Sequence, residues 1–162
     1  MIDAIDQKIL MILQDNARTP NAEVARQLGM AASAIFERIK KLEERGVLRA
    51  YTAQIDPAAL DLSLLAFVSV RTEDAVGTDF TARSLSQRPE VQEVHHVAGE
   101  DCYLAKVRVK DTAALSKLMK ELGALPGVRA TRTTIVLETT KESFELPILP
   151  KHSKSPRKKE KP

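Results

Sequence analysis

Glu37-Arg38-Ile39-Lys40-Lys41-Leu42-Glu43-Glu44-Arg45-Gly46-Val47-Leu48 is the stretch on which the reading of this chain turns. Ile35, Ile39 and Leu42 recur at i, i+4 and i+7, the spacing that stacks apolar side chains on one face of an α-helix. Gly46 then offers the left-handed backbone on which helices commonly stop. The spacing predicts a helix over about residues 32–45. Upstream, Val24, Ala25 and Leu28 mark one face of a shorter helix that Gly29 ends. It follows Thr19-Pro20-Asn21, a breaker with Asn21 as the expected cap. A first helix runs from Asp3, its cap, to near Asn16, with Ile5, Ile9, Ile12 and Leu13 inward. Three short helices joined by tight turns around one small core are the outline of a helix-turn-helix unit.

Downstream the period changes. Residues 47–56 alternate as a strand does, and Asp56-Pro57 interrupts them, so this segment reads as a hinge. Strands are then expected at 64–71, 91–98, 103–109 and 128–138, with helices at 78–87 and, capped by Asp111, through Leu122. Gly99-Glu100-Asp101 makes the turn between the two middle strands. A βαββαβ order suits an α+β, ferredoxin-like fold with both helices on one face of a four-stranded antiparallel sheet. The other face is left open, and a second copy of the chain is its simplest cover.

The chain has 162 residues, 43% of them hydrophobic and 29% charged, the balance of a globular protein. No apolar run reaches membrane-spanning length, and Asp3 and Asp6 stand where a secretory signal carries positive charge, so a cytoplasmic protein is expected. The single cysteine, Cys102, excludes an internal disulfide. It reads as a packed small residue, or else one that meets an effector or senses oxidant. His95 and His96 are adjacent on a strand and face opposite ways, so no metal site is expected. With no phosphate loop and no nucleophile elbow, the sequence predicts no catalytic residue, no cofactor and no enzyme.

The net charge of +3 is unevenly placed: residues 1–56 carry 8 basic and 8 acidic side chains, 57–146 carry 11 and 13, and 147–162 carry 6 and 1. The basic balance therefore lies in the last segment, which has little to bury and reads as disordered. It suits either a solubilising end or a polycation adding salt-sensitive affinity for DNA. The case for a nucleic-acid partner must come from the third helix.

In a helix-turn-helix the second helix of the pair enters the major groove, and side chains near its start that point away from the core meet base edges. Those side chains here are Ser33, Glu37 and Lys41, followed by Lys40 and Glu44, with Ala34 and Arg38 on a flank. Arg38 or Lys41 could donate to guanine, Glu37 could accept from a cytosine amino group, and Ser33 lets the backbone come close. Thr19, Asn21, Arg26 and Arg49 are candidates for phosphate contacts. The plainer reading of Glu37, Lys40, Lys41 and Glu44 is a solvated face of i, i+4 ion pairs.

The opening motif also resembles the Lrp/AsnC, or feast/famine, regulators over about residues 2–143. The marks are Ile2-Asp3 with Asp6 and Ile9-Leu10, Ala17-Arg18, Val24-Ala25 with Leu28-Gly29, and the run from Glu37 to Leu48. Tyr51-Thr52-Ala53, Asp56-Pro57, Val97-Ala98-Gly99 before Tyr103-Leu104, and Leu125-Pro126-Gly127-Val128 complete them. The resemblance implies four parts: a winged helix-turn-helix DNA-binding domain over 1–49, a hinge strand and linker over 50–61, an effector-binding and oligomerisation domain over 62–143, and a basic tail over 144–162. It implies double-stranded DNA as partner, homodimers assembling further, often to octamers, and an amino acid as effector. It places the effector near the turn from Gly99 to Cys102, with Glu100, Asp101 and neighbouring His96. Two departures stand out: Ala31 where many members have a serine cap, and Cys102 where many have aspartate. A competing function is a metabolite-binding module that uses its first three helices to meet other proteins.

Overall fold

The capping box at the N-terminus follows directly from Asp3 and Asp6. Asp3 accepts from the backbone N–H groups of Ile5 and Asp6 at 2.9 and 2.8 Å, and Asp6 accepts from that of Asp3 at 3.2 Å. Three orphan donors are satisfied and α1, Ala4–Asp15, begins. In this computed structural model, which describes residues 2–73 and 79–148, α2 is Asn21–Leu28 and α3 is Ala32–Glu44. Gly29 ends α2 at φ 64°, where an L side chain would be strained, and Met30 donates back to Ala25 at 2.9 Å. Ile9, Leu13, Val24, Ala25, Ile35, Ile39 and Leu42 are buried together.

Asn21 is the first residue of α2 rather than its cap. Pro20 holds the cap position, because its fixed φ suits the entry, and neither α2 nor α3 has a side-chain cap hydrogen bond. The hinge strand expected in 47–56 is absent among the described residues of the chain. The N–H groups of Val47 and Leu48 both turn back to the Leu42 carbonyl, at 2.9 and 3.1 Å, and no described segment offers a ladder to residues 50–56. For the same reason the helix-turn-helix unit contains no β-strand among its described residues, so no wing hairpin is present there.

The chain divides into two compact units, residues 1–53 with 143 onward, and residues 54–142. In the first, residues expected to belong to the tail lie against α1. Gln14 donates to the Leu146 carbonyl at 3.1 Å and accepts from its N–H at 2.9 Å, a reciprocal pair that mimics a strand bond. The expected basic end beyond residue 148, and the expected helix start at 78, lie outside the described residues.

The second unit has the expected order: β1 Leu64–Thr72, α4 Phe80–Ser86, β2 Val91–His96, β3 Tyr103–Val109, α5 Thr112–Gly123 and β4 Val128–Ile135. The sheet order β2-β3-β1-β4, antiparallel throughout, is the ferredoxin-like arrangement. Ala66, Val68 and Val70 of β1 and Tyr103, Ala105, Val107 and Val109 of β3 pack with Leu85, Leu115, Leu118 and Leu122 of the helices. The two outer strands stop short of their expected ends because their partners do. Val136 donates to Leu65 at 2.9 Å, one residue from the start of β1, and Val97 closes the turn on Cys102 at 3.0 Å.

Alternation puts Lys106 on the face away from the helices, yet it is only 8% exposed. It donates to Glu93 at 3.1 Å and to Glu142, which also accepts from Arg108 at 2.9 Å. Burial would lower the Lys106 pKa, but the bonds to Glu142 and Glu93 outweigh it and the ammonium is held above its ordinary value. The segment after β4 thus returns across β1 to reach β3 with a carboxylate.

Candidate nucleic-acid interface and effector turn

α3 buries Ile35, Ile39 and Leu42 and leaves Ser33, Phe36, Glu37, Lys40, Lys41 and Glu44 exposed, with Ala34 half-buried. The small residues Ala31, Ala32 and Ser33 open the helix, so a flat surface can approach its first turn closely. α1 and α5 are capped by aspartates, whereas α2 and α3 have no side chain on their first N–H groups. The start of α3 carries the positive end of the helix dipole with no acidic residue in its first turn, whereas α2 has Glu23 there. The solvated-face reading holds for one pair: Lys40 and Glu44 stand 3.9 Å apart with both side chains exposed.

Arg38 is placed differently from the expectation. Its Nη1 donates to Asp3 and to Asp6, both at 2.7 Å, and its side chain is 30% exposed. These bonds tie the third helix to the start of the first. The backbone donor Asp6 and then the Arg38 guanidinium hold the Asp3 carboxyl below its usual range. Both bonds leave from Nη1, so carboxylates at the start of α1 orient the guanidinium, whereas Lys41 is exposed. Sequence gave no hint of the pairing, since 35 residues separate Arg38 from Asp3.

Of the phosphate candidates, Thr19 donates its hydroxyl to the Asn16 carbonyl at 2.8 Å, and Arg26 is paired with Glu23 on its own helix at 2.7 Å. Asn21 is half-buried at the start of α2 and Arg49 is exposed after α3. Tyr51, a mark of the family resemblance, has no contact assigned to it by sequence. Its hydroxyl donates to Glu43 at 2.8 Å, which anchors the chain leaving α3. Burial and then the Glu43 carboxylate push its pKa up to about 12. Phe36 was also missed, although an apolar residue one step off the Ile35-Ile39-Leu42 stripe was a visible signal.

The turn expected to meet an effector brings together most, but not all, of its expected residues. Gly99 adopts φ 144°, outside the range of ordinary L residues, and so lets the chain reverse between β2 and β3. Cys102 fixes the far side, its N–H donating to Val70 at 3.0 Å and its thiol to the Thr72 carbonyl at 3.7 Å. Asp101 accepts from Arg132 at 2.6 Å and Glu100 from Arg71 at 3.2 Å. Arg132 is opposite Ser69, so these pairs lie on the sheet face away from the helices. His96 does not join them. It is opposite Tyr103, which faces the helices, and the two rings meet at a tilt of 35° with centroids 5.2 Å apart.

Among the described residues no group of three or more His, Cys, Asp or Glu could hold a metal, and no helix is long and apolar enough to cross a membrane.

Two family profiles match most of the chain: the AsnC-type helix-turn-helix domain over residues 2–43 and the Lrp/AsnC ligand binding domain over residues 65–146. The chain is 42% identical over 147 residues to the HTH-type transcriptional regulator FL11 of Pyrococcus horikoshii, covering 91% of this chain and 97% of that protein. It is 39% identical over 150 residues to the leucine-responsive regulatory protein of Escherichia coli, covering 91% and 92%. Among solved structures, a Neisseria meningitidis transcriptional regulator in complex with L-methionine superposes with TM-score 0.85 at 31% identity, covering 91% of this chain and 97% of that one. A Mycobacterium tuberculosis feast or famine regulatory protein, complexed with L-methionine, does so with TM-score 0.84 at 34% identity, covering 90% and 99%. With its three-helix reader followed by a ferredoxin-like unit, the chain belongs to the Lrp/AsnC family of transcriptional regulators and carries that family's helix-turn-helix DNA-binding domain.

Proposed function

We propose that the chain binds specific double-stranded DNA through α3 and that an amino acid, bound at the turn of its second unit, controls its assembly and so its hold on DNA. The observation that carries the reading is the exposed face of an uncapped α3, with Ser33, Glu37 and Lys41 outward over a fully buried stripe. Lys41 is the donor to a base, Glu37 the acceptor from a cytosine amino group, and Ser33 and Ala34 the point of closest approach. Asn21 and Arg49, with the first N–H groups of α2 and α3, meet phosphates. Thr19 acts there through the turn it braces.

An amino acid is a zwitterion, and the turn offers the complement. The Asp101 carboxylate suits the ammonium group, while the Arg132 guanidinium beside it suits the carboxylate. Gly99, Glu100 and Cys102 shape the rim, and His96 acts from the other side of the sheet. The half-buried charged face of the sheet is the surface on which a second copy packs, giving a homodimer that assembles further. Ligand binds one assembly better than another and shifts the population between them.

The test is fluorescence anisotropy with DNA enriched from a random pool, with excess competitor, in the presence and absence of each amino acid. Specific binding that one amino acid shifts is expected, with Asp101→Asn abolishing the shift and not the binding. Binding that competitor DNA removes equally well, whatever its sequence, refutes the reading.

A further inference from the structure

Phe36 is 54% exposed on α3, in a helix whose inward stripe is already complete with Ile35, Ile39 and Leu42. An exposed aromatic ring holds a large apolar area in water, a cost that binding can recover. Its helical neighbours are Ala32 and Ser33, four and three residues before it, and Lys40, four after it. All three are exposed. Two small side chains and a cation leave the ring standing proud at the edge of the face proposed to meet DNA. Lys40, whose 3.9 Å pair with Glu44 is weak and exposed, favours a polyanion as the occupant beside it.

The only apolar group that DNA presents in the major groove is the C5-methyl of thymine. We infer that Phe36 is a specificity residue that packs against a thymine methyl within each half-site, beside the bases met by Ser33 and Lys41. The inference rests on the DNA-binding reading above and adds to it a base identity. Neither Lys41 nor Glu37 can supply that preference, because both act through hydrogen bonds and distinguish guanine and cytosine. The face thus combines hydrogen-bonding groups for G·C pairs with an apolar one for A·T.

The experiment is a cycle between protein and base. The full chain selects its preferred duplex from a random pool, and each thymine in the enriched site is then replaced singly by uracil, which removes only the methyl. Wild-type protein is expected to lose about fourfold in affinity at one thymine per half-site, the worth of one buried methyl group. Phe36→Ala is expected to bind the thymine duplex about fourfold or more weakly and to show no further loss with uracil, while Phe36→Leu keeps the preference. A thermal melt of each variant should match wild type, since the ring is exposed. The inference is overturned if Phe36→Ala keeps full affinity, or if its thymine-to-uracil losses equal those of wild type. It is overturned equally if the variant melts earlier or changes oligomeric mass, which would assign the ring to packing or to a protein partner. Failure of wild-type protein to enrich any sequence would instead refute DNA reading as a whole, before Phe36 enters.

Discussion

Replacing Arg38 by alanine separates a structural arginine from a base-reading one. In the folded chain its guanidinium meets Asp3 and Asp6 at 2.7 Å each, and the Asp6 side chain is only 10% exposed whereas that of Asp3 is 51% exposed. The bond to Asp3 is near the surface limit and contributes about 0.5 kcal/mol. The bond to Asp6 is different, because its loss leaves a largely desolvated carboxylate with one backbone donor. Removing one member of a fully buried pair costs about 3–5 kcal/mol. With the remaining bond from the Asp3 N–H and an arginine 30% exposed, about 1.5 kcal/mol is appropriate here, for a total near 2 kcal/mol. The assay is urea unfolding, with DNA affinity measured well below the transition. Arg38→Ala should shift the midpoint and leave affinity within about threefold, whereas Lys41→Ala should keep the midpoint and lose roughly 1–3 kcal/mol of binding. Asp6→Asn should restore part of the lost stability in the double variant, as expected of groups in contact. If Arg38→Ala is as stable as wild type but binds DNA tenfold more weakly, the guanidinium reads DNA and the structural reasoning is wrong.

Three further outcomes follow from other contacts. Lys106→Met should cost about 2 kcal/mol by removing the shared ammonium from Glu93 and from Glu142, which keeps only Arg108, and adding Glu142→Gln should recover part of it in the same unfolding assay. Tyr51, with its pKa raised to about 12 against an ordinary 10.0, contributes stability that is complete below pH 10 and is lost as pH rises toward 12. Ultraviolet titration should therefore find it ionising late, and Glu43→Gln should move it earlier. Asp111→Ala removes the acceptor for the Ala114 N–H at 2.8 Å and should lower stability by about 1 kcal/mol in thermal melts, with no effect on binding to DNA.

Much of the architecture was legible because it is periodic. The stripe Ile35-Ile39-Leu42, the alternation of Tyr103, Ala105, Val107 and Val109, and the caps at Asp3 and Asp111 each act within a few residues, so they can be read from a linear string. The candidate sites were legible to a lesser degree. The exposed positions of α3 followed from helical geometry, and the reversal at Gly99 from its flanking strands. Which of those side chains remain available did not follow. Arg38 and Lys41 have similar chemistry and lie three residues apart, yet one is held by carboxylates from α1 and the other is exposed.

The sequence by itself determined the element order, the two-part organisation and the sheet face that meets the helices, since local backbone preference and hydrophobic period specify these. Tertiary structure alone decided the partners of distant charges. Glu142 reaches Lys106 and Arg108, Asp101 finds Arg132, Arg38 finds Asp3 and Asp6, and Gln14 takes Leu146. It also decided that residues 50–56 form no strand within the chain, because a strand exists only where another backbone supplies its ladder. Hydrogen bonds and ion pairs between remote segments are fixed by where the packed elements place their ends, and no period along the chain encodes that placement.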